Sequence, residues 1–234
     1  MTNVANLPLR TPQIIAKSFA TLDILTKGRI ELGIGAGVNW KAIEAYGGSR
    51  KSIKEEIKAL QEGINIIKLL WSIGVKTKVV SYDGKHYSLK NAYPVPKPYH
   101  DIKIIIGANE TKMLDLTGKL GDGWSISMFY FPPEETRLKV KILEKSCKKY
   151  GRDFNKLLRI YNIAGVITQE RIGIQIDKNN LLFANHEEWA EFIIKIHKEL
   201  GMNTFIFWPS SKNKSEQIKI FSEKVKEIIR QSFE

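Results

Sequence analysis

The sequence predicts an α/β fold built from repeated parallel βα units, and three observations carry that reading. Helix-period and strand-like segments alternate along the chain. Most strand-like segments are short and apolar on both faces, as Ile102–Ile106 and Thr204–Trp208 are, which suits strands covered by helices. Turn residues then fall where these segments end: Gly33, Gly35 and Gly37, then Gly107–Asn109, then Pro209–Ser211. Two architectures satisfy the pattern, a doubly wound open sheet and a (β/α)8 barrel. In both, ligands bind at the carboxyl ends of the strands.

Taken in order, residues 1–10 read as a strand exit or loop. Thr11-Pro12 is an N-cap followed by proline at the first helical position, and Ile15, Phe19 and Leu22 keep helical spacing up to Lys27. Gly28 suits a left-handed cap. A strand is expected over Arg29–Ile34, and a short helix over 39–47. Ser52 with Glu55 forms a capping box, opening a long helix striped by Ile53, Ile57, Leu60, Ile64, Ile67 and Trp71. Residues 76–89 read as a hairpin about Asp83-Gly84. Strands follow at Ile102–Ile106, Trp124–Ser127, Leu158–Ile167 and Thr204–Trp208, making five with the first. Helices lie between them, from about Glu110 to Leu120, from Pro132-Pro133, and from a second capping box at Asn185 and Glu188. A last helix carries Ile218, Phe221, Val225 and Ile228. Residues 169–184 fit either a strand or an irregular excursion.

The chain has 234 residues, enough for a full core and most simply a single domain. No apolar run approaches the roughly 18 or more residues of a membrane span. There is one cysteine, Cys147, so no intrachain disulfide can form; with no secretory leader, the expected compartment is the cytoplasm. The formal charge of +12 attracts anions. The lysines, however, sit mostly on polar helix faces without a nucleic-acid motif, so nucleic-acid binding is not expected.

The glycine stretch fails as a dinucleotide fingerprint. A G-x-G-x-x-G starting at Gly33 needs glycine where Val38 stands, and no phosphate-loop motif occurs elsewhere. The four histidines are scattered without metal-ligand spacing: His86, His100, His186 and His197. Cys147 lies on an amphipathic helix and reads as a structural thiol. Trp124 and Trp208 fall near strand ends, where an indole can stack on a flat ring or plug the interior.

A longer series of residues resembles a known family. It comprises Leu9-Arg10-Thr11-Pro12, Ala16-Lys17, Ala20-Thr21-Leu22-Asp23, Gly28-Arg29 and Leu32–Gly37, with Glu44 and Gly47. It continues through Gly84-Lys85-His86-Tyr87, Pro94–Pro98, Ile106–Asn109, Lys112-Met113-Leu114 and Gly121–Trp124. This set is similar to the luciferase-like family of FMN- and coenzyme F420-dependent oxidoreductases. The resemblance implies a TIM barrel, FMN or F420 as cofactor, and a small organic substrate undergoing monooxygenation or hydride transfer. By position it implies that Gly35, Gly37, Val38 and Asn39 line the cofactor. It sets Gly107, Ala108, Asn109, Thr111 and Lys112 at the phosphate, with Trp124 nearby. It also implies an incomplete barrel of about five strands, because the Arg-Thr-Pro helix follows the third strand in the family and begins here at Arg10. Homo-oligomerisation is the corresponding expectation. The competing expectation is a shortened, non-catalytic member that binds the cofactor or serves as a structural partner.

Overall fold

A computed structural model describes residues 1–37, 39–72 and 79–233. Its first helix, α1 (Pro12–Thr26), buries Ile15, Ala16, Phe19 and Ala20 and packs on α3 (Ile53–Ser72). Two successive left-handed residues end it, Lys27 (φ 56°) and Gly28 (φ 81°). The amide of Gly28 returns to the carbonyl of Asp23 at 3.0 Å, as a helix-terminating motif requires. The cap therefore spans both residues rather than Gly28 alone. At α3 the capping box is present in both directions: Ser52 N donates to Glu55 Oε2 at 3.2 Å, and Glu55 N donates to Ser52 Oγ at 3.4 Å.

The strands are β1 (Ala5–Asn6), β2 (Leu32–Gly35), β5 (Ile104–Gly107), β6 (Gly123–Ser127), β7 (Leu158–Thr168) and β10 (Thr204–Pro209). They lie side by side in that order, all parallel. The five expected strands are thus present, joined by a short one from residues 1–10. Among the described residues, β1 and β10 are each paired on one side only. Helices α2 (Trp40–Ala45), α4 (Thr111–Leu120), α5 (Pro133–Lys149) and α6 (His186–Leu200) return the chain between strands. The last helical stretch is α7 (Lys214–Ile220) and α8 (Lys226–Gln231), joined by a π-turn at Phe221–Val225.

Some boundaries differ from expectation. The ladder of β2 starts at Leu32 rather than Arg29, because its partner β5 begins only at Ile104. The hairpin strands are β3 (Val80–Tyr82) and β4 (Leu89–Ala92), joined by residues 83–88 rather than by a tight Asp83-Gly84 turn. Residues 76–78 of the expected hairpin lie outside the described residues. Within 169–184 the chain forms β8 (Gln175–Ile176) and then enters β9 (Leu182–Asn185). Strand β9 runs parallel to the end of β7, and β8 folds back antiparallel on it. Gly165 pairs with both Leu182 and Pro209, so β9 and β10 flank β7 on opposite sides. The expected capping box of α6 is present: Glu188 N donates to Asn185 Oδ1 at 2.9 Å, and Asn185 N donates to Glu188 Oε2 at 3.0 Å.

Strand alternation separates two faces. Ile34, Ile104, Ile106, Trp124, Ile126, Tyr161 and Ile163 join the large core backed by the helices. Gly33, Ile105, Gly107, Gly123, Ser125, Ile160 and Asn162 occupy the alternate positions and face the other way. Cys147 is fully buried, and burial raises its thiol pKa, which fits a structural thiol. No helix among the described residues is long and apolar enough to cross a membrane.

The amino ends of β2 and β5 are tied by charge. His100 Nδ1 lies 2.9 Å from both carboxylate oxygens of fully buried Asp23, and Nε2 lies 3.3 Å from Glu31 Oε1. Burial disfavours the imidazolium, but the hydrogen bonds to the two carboxylates outweigh it and raise the His100 pKa above 6.5. Burial likewise works against ionised Asp23, yet hydrogen bonds from the His100 amide and ring hold its pKa below 3.8. The pair's contribution to stability is therefore fully present between these two ordinary values. It falls as pH rises above 6.5 through the raised His100 pKa, and it falls as pH drops below 3.8. Urea unfolding across pH is expected to show a loss above pH 6.5 that His100→Gln abolishes.

Candidate functional site

The glycine-rich end of β2 is where other groups come close. A Cβ on Gly33 would lie 1.9 Å from the Thr2 carbonyl oxygen, one on Gly35 2.9 Å from Val4 Cγ2, and one on Gly107 3.3 Å from Val4 Cγ1. The chain's own residues 2–4 thus lie where a Cβ on Gly33 or Gly35 would stand. Thr2 Oγ1 also donates to the Gly33 carbonyl at 2.8 Å. Gly37 has φ +100°, and a Cβ there would meet Ile43 Cδ1 at 2.8 Å, so only glycine suits that bend. Asn39 caps α2, its Oδ1 accepting from Ala42 N at 3.2 Å. Val38 lies outside the described residues.

One strand over, β5 ends at Gly107 and leads into α4. The Ala108 carbonyl accepts from Trp124 Nε1 at 2.8 Å, and the Asn109 carbonyl accepts from Lys139 Nζ at 2.8 Å. Glu110 occupies the N-cap without making a side-chain cap, and the first turn of α4 contains no acidic residue. Free amides and the positive end of the helix dipole therefore sit beside Thr111 and Lys112. This is an arrangement that suits an anion.

The structure brings two expected groups together at the carboxyl ends of adjacent strands: Gly35, Gly37 and Asn39 on one, and Gly107, Ala108, Asn109, Thr111 and Lys112 on the other. Trp124 stands apart from them. Its indole is fully buried on the helix side of the sheet, where it supports Ala108 from behind. Trp208 is 53% exposed on β10.

Other site residues gave no distinct signal in the sequence. Asn6 lies beside Gly37, and its Oδ1 is buried with no hydrogen-bond partner. Asn3, Ser125 and Asn162 form a closed network on the face turned away from the helices. Asn3 Nδ2 donates to Asn162 Oδ1 at 2.7 Å, Ser125 Oγ donates to Asn3 Oδ1 at 2.9 Å, and Asn162 Nδ2 donates to the Ile126 carbonyl at 2.9 Å. Asn162→Ala leaves buried partners unsatisfied and is expected to cost about 1–3 kcal/mol in chemical unfolding. A cleft of about 470 Å³ runs between residues 2–6 and α1, lined by Asn6, Arg10, Ile14 and Phe19 among others. Among the described residues, no group of three or more His, Cys, Asp or Glu side chains is placed to hold a metal ion.

Comparison with known proteins agrees with this architecture. A family model described as luciferase-like monooxygenase matches residues 1–171. An F420-dependent glucose-6-phosphate dehydrogenase of Nakamurella multipartita is 25% identical over 191 residues, covering 82% of this chain and 52% of that protein. A second, of Microbacterium testaceum, is 30% identical over 141 residues, covering 60% of this chain and 40% of that protein. The chain thus spans about half the length, or less, of these curated relatives. Among solved structures, an F420-dependent secondary alcohol dehydrogenase holding an F420–acetone adduct superimposes with a TM-score of 0.82 at 20% identity. That match covers 97% of this chain and 78% of the other. The coenzyme F420-dependent tetrahydromethanopterin reductase of Methanopyrus kandleri superimposes at 0.79 and 17% identity, covering 96% and 81%.

The parallel sheet is thus of the TIM-barrel type shared by these F420-dependent structures. The chain belongs to the luciferase-like monooxygenase family.

Proposed function

We propose that this chain binds the phosphate-bearing cofactor FMN or F420 at the ends of β2 and β5 and takes part in redox chemistry on a small organic molecule. The observation that carries the reading is the meeting of Gly35 and Gly37 with the uncapped start of α4 at Gly107–Lys112. The F420 dependence of the curated relatives supports the deazaflavin over the flavin.

The residues present fit such a group. Backbone amides of Thr111 and Lys112 would hold the phosphate, with the Lys112 and Lys139 ammonium groups adding charge nearby. Asn6 Oδ1, buried and unpartnered, is an acceptor for a ring or side-chain donor. A ring laid on this face would meet Val4, which covers Gly35 and Gly107. The cofactor, when bound, supplies the hydride or oxygen chemistry, and the protein binds and orients it.

The position of Thr2 and Val4 also favours a second reading, a non-catalytic member whose own residues 2–4 fill part of the site. Titration of the purified chain with F420 and with FMN separates the two. Saturable binding is expected, and Lys112→Ala is expected to weaken it by about fivefold, the upper end for losing one exposed ion pair. Absence of binding by both cofactors favours the non-catalytic reading.

A further inference from the structure

The β3–β4 hairpin has no part in the strand-end site, yet a single side chain of α3 holds its connecting loop. Lys85 N donates to Glu62 Oε1 at 3.2 Å, His86 N to Glu62 Oε2 at 2.7 Å, and Tyr87 N to the same Oε2 at 3.1 Å. Three successive amides converging on one carboxylate form a charge-assisted set, stronger than neutral hydrogen bonds. Gly84 makes the approach possible, since a Cβ there would stand 2.7 Å from Glu62 Oε2 and 2.5 Å from the Tyr87 carbonyl oxygen.

The loop held in this way leads directly to the site. Tyr87 lines a narrow cleft together with Leu7, Ala36 and Trp40. Leu7 follows β1, Ala36 belongs to the glycine exit of β2, and Trp40 opens α2. The hairpin loop therefore faces, across this cleft, the backbone that precedes and follows Gly37.

We infer that Glu62 is a positioning residue: its carboxylate latches the hairpin loop, and the latched Tyr87 braces Ala36 and Trp40, fixing the glycine exit of β2. The latch and the shared cleft stand on geometry alone. Its effect on affinity rests on the proposed cofactor reading.

The test compares wild type with Glu62→Gln, which keeps size but removes charge and one acceptor. Site-resolved amide exchange, thermal unfolding and cofactor titration are measured on each. Exchange is expected to accelerate about tenfold or more at residues 85–87 and also at Ala36, Gly37, Asn39 and Trp40, while α6 amides keep their protection. Binding of F420 or FMN weakens in parallel without a matching fall in Tm. Acceleration confined to 85–87 would overturn the inference, because the latch would then be local. If Glu62→Gln fails to fold, Tyr87→Ala serves instead: it leaves the amides latched and removes the brace. Faster exchange at Ala36 and Gly37 with 85–87 still protected supports the inference, and unchanged exchange there overturns it. If wild type binds neither cofactor, the cofactor reading fails, and the exchange data still decide the bracing.

Discussion

Replacing Trp124 by alanine is expected to lower the unfolding free energy by about 3–5 kcal/mol, the range for truncating a fully buried large aromatic side chain. The expectation comes from where strand alternation sends this residue. In Gly123–Ser127, Ser125 meets Asn3 and Asn162 on one face, so Trp124 and Ile126 face the helices. There the indole is fully buried within the core that includes Leu143 and Cys147. Its N–H also holds the Ala108 carbonyl, so Trp124→Phe loses a buried hydrogen bond while keeping most of the packing. That variant is expected to cost about 1–3 kcal/mol. Urea unfolding monitored by circular dichroism measures both. A variant of unchanged stability but weakened cofactor binding would mean that the indole serves as a stacking platform instead.

Gly165→Ala is expected to have an effect of similar size, about 3 kcal/mol, the upper end for forcing atoms into a packed interior. A Cβ there would stand 2.0 Å from the Leu182 carbonyl oxygen and 2.8–2.9 Å from the Leu182 carbonyl carbon and amide nitrogen. These are backbone atoms of the neighbouring strand, so no side-chain rotamer relieves the clash. Either β9 leaves β7 or the whole ladder shifts. Loss of β9 would release the fully buried Leu182 and Ala184 and the Asn185 cap of α6. Thermal unfolding shows the cost, and amide exchange at 182–185 shows whether β9 is the part that detaches.

What the sequence disclosed and what it concealed follow from the range of the interactions. Five strands were legible because burial on both faces leaves near-continuous apolar runs such as Ile104–Ile106. The boxes at Ser52 and Glu55 and at Asn185 and Glu188 were legible because a cap is settled within four residues. Strand β9 was concealed, since four residues leading directly into a helix carry no period of their own and pair with β7 across a connection that contains no helix. Gly33, Gly35 and Gly37 were legible as a strand exit. Nothing around them marks Thr2 and Val4 as the groups that meet Gly33 and Gly35, a contact between segments about thirty residues apart. Glu62 looked like one more acidic residue on a helix that also carries Glu55 and Glu56; only the folded hairpin reveals its three amide partners. The orphan acceptor of Asn6 and the network around Asn162 are similarly products of tertiary contact.

The ends of β2 and β5 are proposed to hold one phosphate-bearing cofactor together. Amide exchange with and without saturating F420 tests it most directly, and FMN provides the second arm. New protection is expected mainly at Gly35, Gly37 and Asn39 and at Gly107–Lys112, appearing in both segments at the same cofactor concentration. Binding that protects neither segment, or saturating cofactor that leaves every amide unchanged, would contradict it.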